Sequence, residues 1–143
     1  LAEQLNLPVY LHERDASEDM LSILKEFNVR GVLHCFTGNA QALKSYLALG
    51  LYIGITGWVC DERRGKELQQ LIPSIPLNKL LIETDAPFLI PRTVNPKPKS
   101  RRNEPALLTY VCETIAQLYN LTPEAIAQQT TLNFYNIFDL KAK

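Results

Sequence analysis

Four short apolar runs recur along this chain at intervals of ~20–30 residues, the spacing of βαβ units. They are Leu7-Pro8-Val9-Tyr10-Leu11-His12, Gly31-Val32-Leu33-His34, Leu51-Tyr52-Ile53-Gly54-Ile55 and Leu80-Leu81-Ile82-Glu83-Thr84-Asp85. Helical spacing fills the gaps. Met20, Ile23, Leu24 and Phe27 follow Asp15-Ala16-Ser17-Glu18, which has the spacing of a capping box. Leu43 and Leu47 precede a terminating Gly50. Glu67 to Ile72 forms the third helical stretch. Strands alternating with helices imply parallel βαβ units. Two folds share that order: a small open doubly wound sheet, or half of an eight-stranded barrel. A full barrel needs at least ~200 residues, so the 143 residues here cannot close one alone.

A loop rich in Pro and basic residues follows the fourth run, from Ala86 to about Arg102. Asn103-Glu104-Pro105 then opens a helix, with Pro near its first turn, that continues to about Leu118. Thr122-Pro123-Glu124 begins another short helix, and Leu132 to Phe138 a last one. The closing Lys141 and Lys143 are expected to fray. No linker and no repeat beyond the βα rhythm divides the chain, so residues 1–143 read as part of one domain. The opening Leu1-Ala2-Glu3-Gln4-Leu5 looks like the middle of an amphipathic helix, and the only methionine is Met20. The expectation is therefore the C-terminal part of a longer protein.

Lys and Arg number 15 and Asp and Glu number 15, so no global field draws the chain to nucleic acid or membrane, and any basic patch must be local. Cys35, Cys60 and Cys112 are odd in number and lack a CxxC pair. That pattern fits free thiols in a reducing cytoplasm. No run approaches the length of a membrane span.

His12, His34 and Asp85 each stand at the C-terminal end of a different apolar run. In α/β folds those ends converge on the face where active sites form. Two imidazoles and a carboxylate meeting there could hold a metal ion, whereas a lone His at a strand end is more often structural. Glu83 and Asp85 alternate onto one face, and two acids at a buried strand end are costly unless paired or cation-bound. Arg14, two residues past His12, could clamp a phosphate or pair with Glu83; a surface Arg at a helix start is the plainer reading. Arg92, Lys97, Lys99, Arg101 and Arg102 lie in a stretch without an acid, directly after Asp85. Beside a metal site that stretch suits an anionic substrate such as a phosphodiester. Trp58 could stack on a base or serve as packing. Cys35 neighbours His34, and strand alternation points it away from the metal. There is no Gly-rich phosphate loop, Ser-His-Asp set or nucleophilic Cys context.

The segments His12-Glu13-Arg14-Asp15-Ala16, Gly31 to Gly38, Gly50 to Gly54, Glu83-Thr84-Asp85-Ala86-Pro87 and Ser100 to Pro105, with Asn133 to Leu140, resemble the TatD-type metal-dependent deoxyribonuclease family in order and spacing. The resemblance implies a TIM (β/α)8 barrel of the metal-dependent hydrolase type, of which this chain resembles the last four units. It implies DNA as substrate and divalent Mg, Mn or Zn as cofactor, two ions per complete site. His12, His34 and Asp85 match metal-ligand positions. Asp85 also matches the acid expected to orient or deprotonate the attacking water. Glu83 is expected behind the ligands, and Arg14, Lys97, Lys99, Arg101 and Arg102 on the substrate. The family's early His-x-His pair and a further metal-ligating Glu have no counterpart here. A missing N-terminal half-barrel or a second chain is therefore expected to cover the sheet edges. The alternatives are a metal-dependent hydrolase of another ester or amide, or a non-catalytic half-barrel.

Overall fold

The computed structural model describes residues 1–140; the expected fraying of Lys141 and Lys143 lies outside them. Its centre is one sheet of four parallel strands in chain order: β1 (Val9–His12), β2 (Gly31–His34), β3 (Tyr52–Ile55) and β4 (Leu80–Ile82). Parallel neighbours need a long return crossover, and the helices supply it. The crossovers contain α2 (Ser17–Leu24), α3 (Ala40–Ala48) and α4 (Lys66–Leu71), while α1 (Ala2–Leu5) precedes β1 and α5 (Leu108–Tyr119) and α6 (Pro123–Ile137) follow β4.

Strand alternation divides the sheet into two unlike faces. Leu11, Leu33, Ile53, Ile55 and Leu80 pack under the helices with Leu24, Leu43, Tyr46, Leu68 and Ile115. Those of them that are fully buried aliphatic side chains contribute about 1.5–3 kcal/mol each, so this face anchors the fold. Register partners in a parallel ladder share a face, which puts Tyr10 beside Val32 and His12 beside His34. The same face carries Tyr52, Gly54 and Leu81. Its apolar part is small: Val32 and Leu81 meet Ile137 and the partly buried Phe138 from the end of α6.

Several boundaries differ from the sequence reading. The capping box does not form: Ala16 occupies the cap position, and its N–H donates to Glu13 Oε1 at 2.6 Å. Asp15 is left-handed, with φ 57°, and so lies outside the helix start. The helix α2 stops at Leu24, so Met20 and Leu24 face the core while Ile23 and Phe27 are exposed. The two helices expected after Thr122 are one, capped by Thr122 Oγ1, which accepts the Ala125 N–H at 3.2 Å. The polar run Gln128 to Thr131 concealed this continuity. Its Thr130 is buried, with a hydroxyl that donates to Ile126 O at 2.9 Å. Among the described residues, no helix is long and apolar enough to cross a membrane. All three cysteines are free thiols.

Asn133 ties α6 to the sheet. Only 1% exposed, its Nδ2 donates to Leu77 O at 2.7 Å and to Leu80 O at 2.8 Å, and its Oδ1 accepts from Gln129 Nε2 at 2.9 Å. Removing one side of a buried hydrogen bond leaves the other side desolvated and unpaired. Asn133→Ala should therefore cost about 1–3 kcal/mol in a urea titration. Leu132→Ala, on the exposed side of the same helix, should stay within about 0.5 kcal/mol.

Candidate active site

His12 and His34 end β1 and β2 as direct register partners, and their ring centroids are 5.9 Å apart. On the far side of His34 the ladder continues to Gly54, whose missing side chain leaves a gap. Glu83, just past β4, reaches through that gap: a Cβ at Gly54 would stand 2.3 Å from the Glu83 Cδ. The Glu83 carboxylate then meets three donors. Oε2 lies 2.8 Å from His34 Nδ1 and accepts the Cys35 N–H at 3.1 Å, while Oε1 accepts the Tyr10 hydroxyl. The Tyr10 hydroxyl also lies 3.1 Å from His34 Nδ1. Burial, then the Glu83 bond and charge, push the Tyr10 hydroxyl well above its ordinary pKa, so it stays a donor.

A carboxylate on Nδ1 sets the tautomer of an imidazole. With Nδ1 donating to Glu83, His34 Nε2 carries its lone pair toward Asp85 Oδ1, 3.4 Å away. Two electron-rich atoms facing each other are resolved by a cation between them. Ligands ~2.0–2.2 Å from one tetrahedral ion are themselves about 3.4 Å apart, so this pair fits a shared divalent ion. The pair is one imidazole and one carboxylate; His12 is exposed and is not among the potential ligand atoms that the described residues bring within 4.8 Å of one another.

Cys35 departs from the sequence reading. Its Sγ and the ligand atoms of His34 and Asp85 lie within 4.8 Å of one another. Strand alternation does not reach it, because β2 ends at His34 and Cys35 turns left-handed at φ 51°. Its Sγ is 3.4 Å from Thr56 Oγ1. Burial raises the thiol pKa, with Asp85 and Glu83 adding to the rise.

Asp85 is left-handed as well, at φ 55°, and belongs to the turn after β4 rather than to the strand. Asn103 holds that turn. Only 2% exposed, its Nδ2 donates to Thr84 O at 2.8 Å and to Phe88 O at 2.7 Å, bracketing Asp85, and its own N–H donates to Pro87 O at 3.0 Å. Below the cluster, a cleft of about 810 Å³ runs from Tyr10, His34, Glu83 and Asp85 to Phe134 and Tyr135 of α6.

The other expected residues stand further out. Arg14 forms no ion pair with Glu83 among the described residues; it lines a second, polar cleft with Glu13, Asp15, Asn39 and Glu67. Lys97, Lys99, Arg101 and Arg102 are exposed and do not line the cleft below the cluster. Trp58 is half-buried against the main core in the 3-10 turn Gly57–Cys60. Sequence reasoning missed three participants. Tyr10 was legible as the residue two before His12 on one strand. Gly54 gave the signal of a glycine inside a strand pattern, which marks close approach. Asn103 gave none, since a helix-opening Asn looks the same whether or not it clamps a neighbouring turn.

A methyl at position 54 must displace the Glu83 carboxylate, which three hydrogen bonds hold. Gly54→Ala should cost about 1–3 kcal/mol, as overpacking does. Combined with Glu83→Ala, the cost should be less than the sum of the two single changes by at least about 0.5 kcal/mol. A double-mutant cycle in urea measures this; additive values would mean that the carboxylate does not occupy the gap.

The chain matches the family described as TatD related DNase over residues 1–139. It is 52% identical, over 98% of its length, to a protein of Erwinia tasmaniensis named 3'-5' ssDNA/RNA exonuclease TatD, of which it covers 55%. A protein of the same name from Escherichia fergusonii is 49% identical over 98% of the chain, again with 55% of that protein covered. The chain thus spans about half the length of the curated relatives it matches. Among solved structures it is similar to YJJV, a TatD homologue from Escherichia coli, with 29% identity and a TM-score of 0.85 over 98% of this chain and 53% of that one. A TatD family hydrolase from Entamoeba histolytica shares the fold at 24% identity and a TM-score of 0.82, over 92% of this chain and 50% of that one. On the strength of that match across nearly every residue, the chain belongs to the TatD-related nuclease family.

Proposed function

We propose that this chain forms the last four βα units of a (β/α)8 barrel that hydrolyses phosphodiester bonds of DNA or RNA with divalent metal ions. The observation that carries the reading is His34 standing between Glu83 and Asp85 at the C-terminal ends of parallel strands. The names of the half-identical relatives, single-strand exonucleases, support the substrate class. His12, His34 and Asp85 would hold an ion, Mg, Mn or Zn, in a complete site of two. Such an ion would supply an acidified water and offset charge on the phosphodiester. Glu83 fixes the His34 tautomer and ring plane. The second Asp85 oxygen is free to orient a water or take its proton. Arg14 and the basic loop from Arg92 to Arg102 would hold substrate phosphates at the rim. An N-terminal half-barrel would pair with the edge strands β1 and β4 and supply the remaining ligands. Free thiols fit residence in the cytoplasm.

In the full-length protein, Asp85→Asn should abolish metal-dependent cleavage of a labelled oligonucleotide while leaving oligonucleotide binding in place. Glu83→Ala should lower Mn²⁺ affinity by about 10–100-fold, the usual effect of losing the partner of a ligating His. Calorimetric Mn²⁺ titration checks this. Unchanged affinity in both variants would rule out the site.

For the basic loop, Arg101→Ala and Arg102→Ala should each weaken oligonucleotide binding and lower its salt slope by about one per lost phosphate contact. Binding measured across a salt series checks this.

A further inference from the structure

Beyond the strand ends, one side-chain cluster joins Arg92, the first cation of the basic loop, to residues outside the site so far described. Asp61, 4% exposed, follows the turn that carries Trp58. Its Oδ1 accepts the backbone N–H groups of Arg63 at 3.0 Å and Arg64 at 3.4 Å. The same carboxylate gathers three guanidinium groups, each by Nε: Arg64 at 3.2 Å, Arg63 at 3.8 Å and Arg92 at 3.9 Å. Those backbone N–H groups, Arg63's first, keep the Asp61 carboxyl below its ordinary pKa, so the anchor remains charged.

Contact through Nε leaves the terminal Nη fork of each arginine without an ion pair among the described residues. That fork is the end that makes paired hydrogen bonds to phosphate. The three side chains are 49–67% exposed, and among the described residues no other carboxylate pairs with them. Glu62, next in the chain, is exposed and joins none of these pairs. Three guanidinium charges therefore answer one carboxylate. Arg64 also lies over Trp58, its Cζ 4.9 Å from the ring centroid. The Arg64 side chain is 62% exposed.

The cluster adjoins the candidate active site. Thr56 Oγ1 touches Cys35 Sγ at 3.4 Å and accepts the Trp58 N–H at 3.5 Å. The loop after Asp85 lies against the same turn: a Cβ at Gly57 would stand 2.1 Å from Leu89 O. That packing brings Arg92 to Asp61.

We propose that Trp58, Arg63, Arg64 and Arg92 form a subsite for a single-stranded nucleic acid. A base stacks on the Arg64 guanidinium that Trp58 supports, and flanking phosphates meet the Arg63 and Arg92 forks. Stacking on arginine planes and aromatic rings is how splayed bases are held, and double-stranded bases do not offer those faces. The reading rests on the proposed nuclease activity only for where the strand leads, namely to His34 and Asp85.

Trp58 is the sole tryptophan in the chain, so its fluorescence reports the subsite. The full chain is titrated with a short oligothymidylate in EDTA, where loss of the metal site has no bearing on the result. Quenching is expected. Arg64→Lys keeps the charge but loses the plane, and should weaken binding about tenfold, within the range for one stacked base. Arg92→Ala should lower the salt slope by about 0.7, one single-strand phosphate contact. Asp61→Asn raises the net charge yet should weaken binding, because the forks lose their anchor. Stronger or equal binding by Arg64→Lys and Asp61→Asn would mark a diffuse cationic patch and overturn the proposal, as would equal affinity for inorganic polyphosphate. Circular dichroism checks each variant's fold, and if Asp61→Asn unfolds, the exposed Arg64→Lys change decides alone. Cleavage lost with quenching intact would count against the metal site and not against this one.

Discussion

His34 faces one carboxylate with each of its ring nitrogens, and the arrangement depends on a contact that crosses a strand. Glu83 can reach Nδ1 only because position 54 has no side chain. A three-strand span is thus closed by a glycine in the middle strand and a long carboxylate beyond the outer one. The Glu83–His34 pair is only 10–15% exposed, where desolvation offsets much of the Coulombic gain, so it is not chiefly a source of stability. The effect of the Glu83 bonds is orientation. They decide which His34 nitrogen holds the proton and hence which one meets Asp85.

The strands deliver these residues to one edge, but the turns aim them. Cys35 and Asp85 each leave their strand with φ above +50°. A left-handed residue other than glycine costs roughly 1–2 kcal/mol, and such strain persists only where the surroundings over-determine it. For Asp85 those surroundings are Asn103, which brackets the turn from Thr84 to Phe88 with one amide group. Buried amides of this kind cost energy unless bonded. Both Asn103 and Asn133 meet that condition by donating to backbone carbonyls, and both attach a late segment to the end or start of β4. The sheet supplies position and the two asparagines supply angle.

How much of this was legible follows from what each signal measures. The apolar runs gave four parallel strands in chain order, because period-two burial and βα spacing have few other solutions. His12, His34 and Asp85 stood out because they occupy equivalent ends. The errors arose where backbone left its regular state. Cys35 was misplaced because alternation holds only inside a strand, and Asp15 because a capping box presumes a residue in the extended region. The unbroken α6 was hidden by buried polar residues, whose partners are set by tertiary contacts rather than by pattern. Asn103 and Asp61 share that character: each is a common loop residue whose role comes from groups distant in sequence or from backbone N–H groups that only the folded turn presents.

The charge balance shows the same divide between composition and placement. Fifteen basic residues against fifteen acidic ones rule out a global attraction to a polyanion. Yet a phosphate senses only charges within roughly 8 Å at physiological ionic strength, and on that scale the chain is not neutral. No acid lies between Ala86 and Asn103, and the one carboxylate nearest Arg63, Arg64 and Arg92 is withdrawn from solvent. A buried acid serves such a surface better than an absent one. It costs one unit of charge, but it holds three flexible side chains together before any ligand arrives. Each long side chain immobilised at binding costs about 0.5–1.5 kcal/mol, so restraint in advance, firmest for Arg64 at 3.2 Å, offsets part of what the lost charge subtracts. The acids that do face solvent near the strand ends, Asp85 foremost, stand where a divalent ion would reverse their sign for an approaching phosphate.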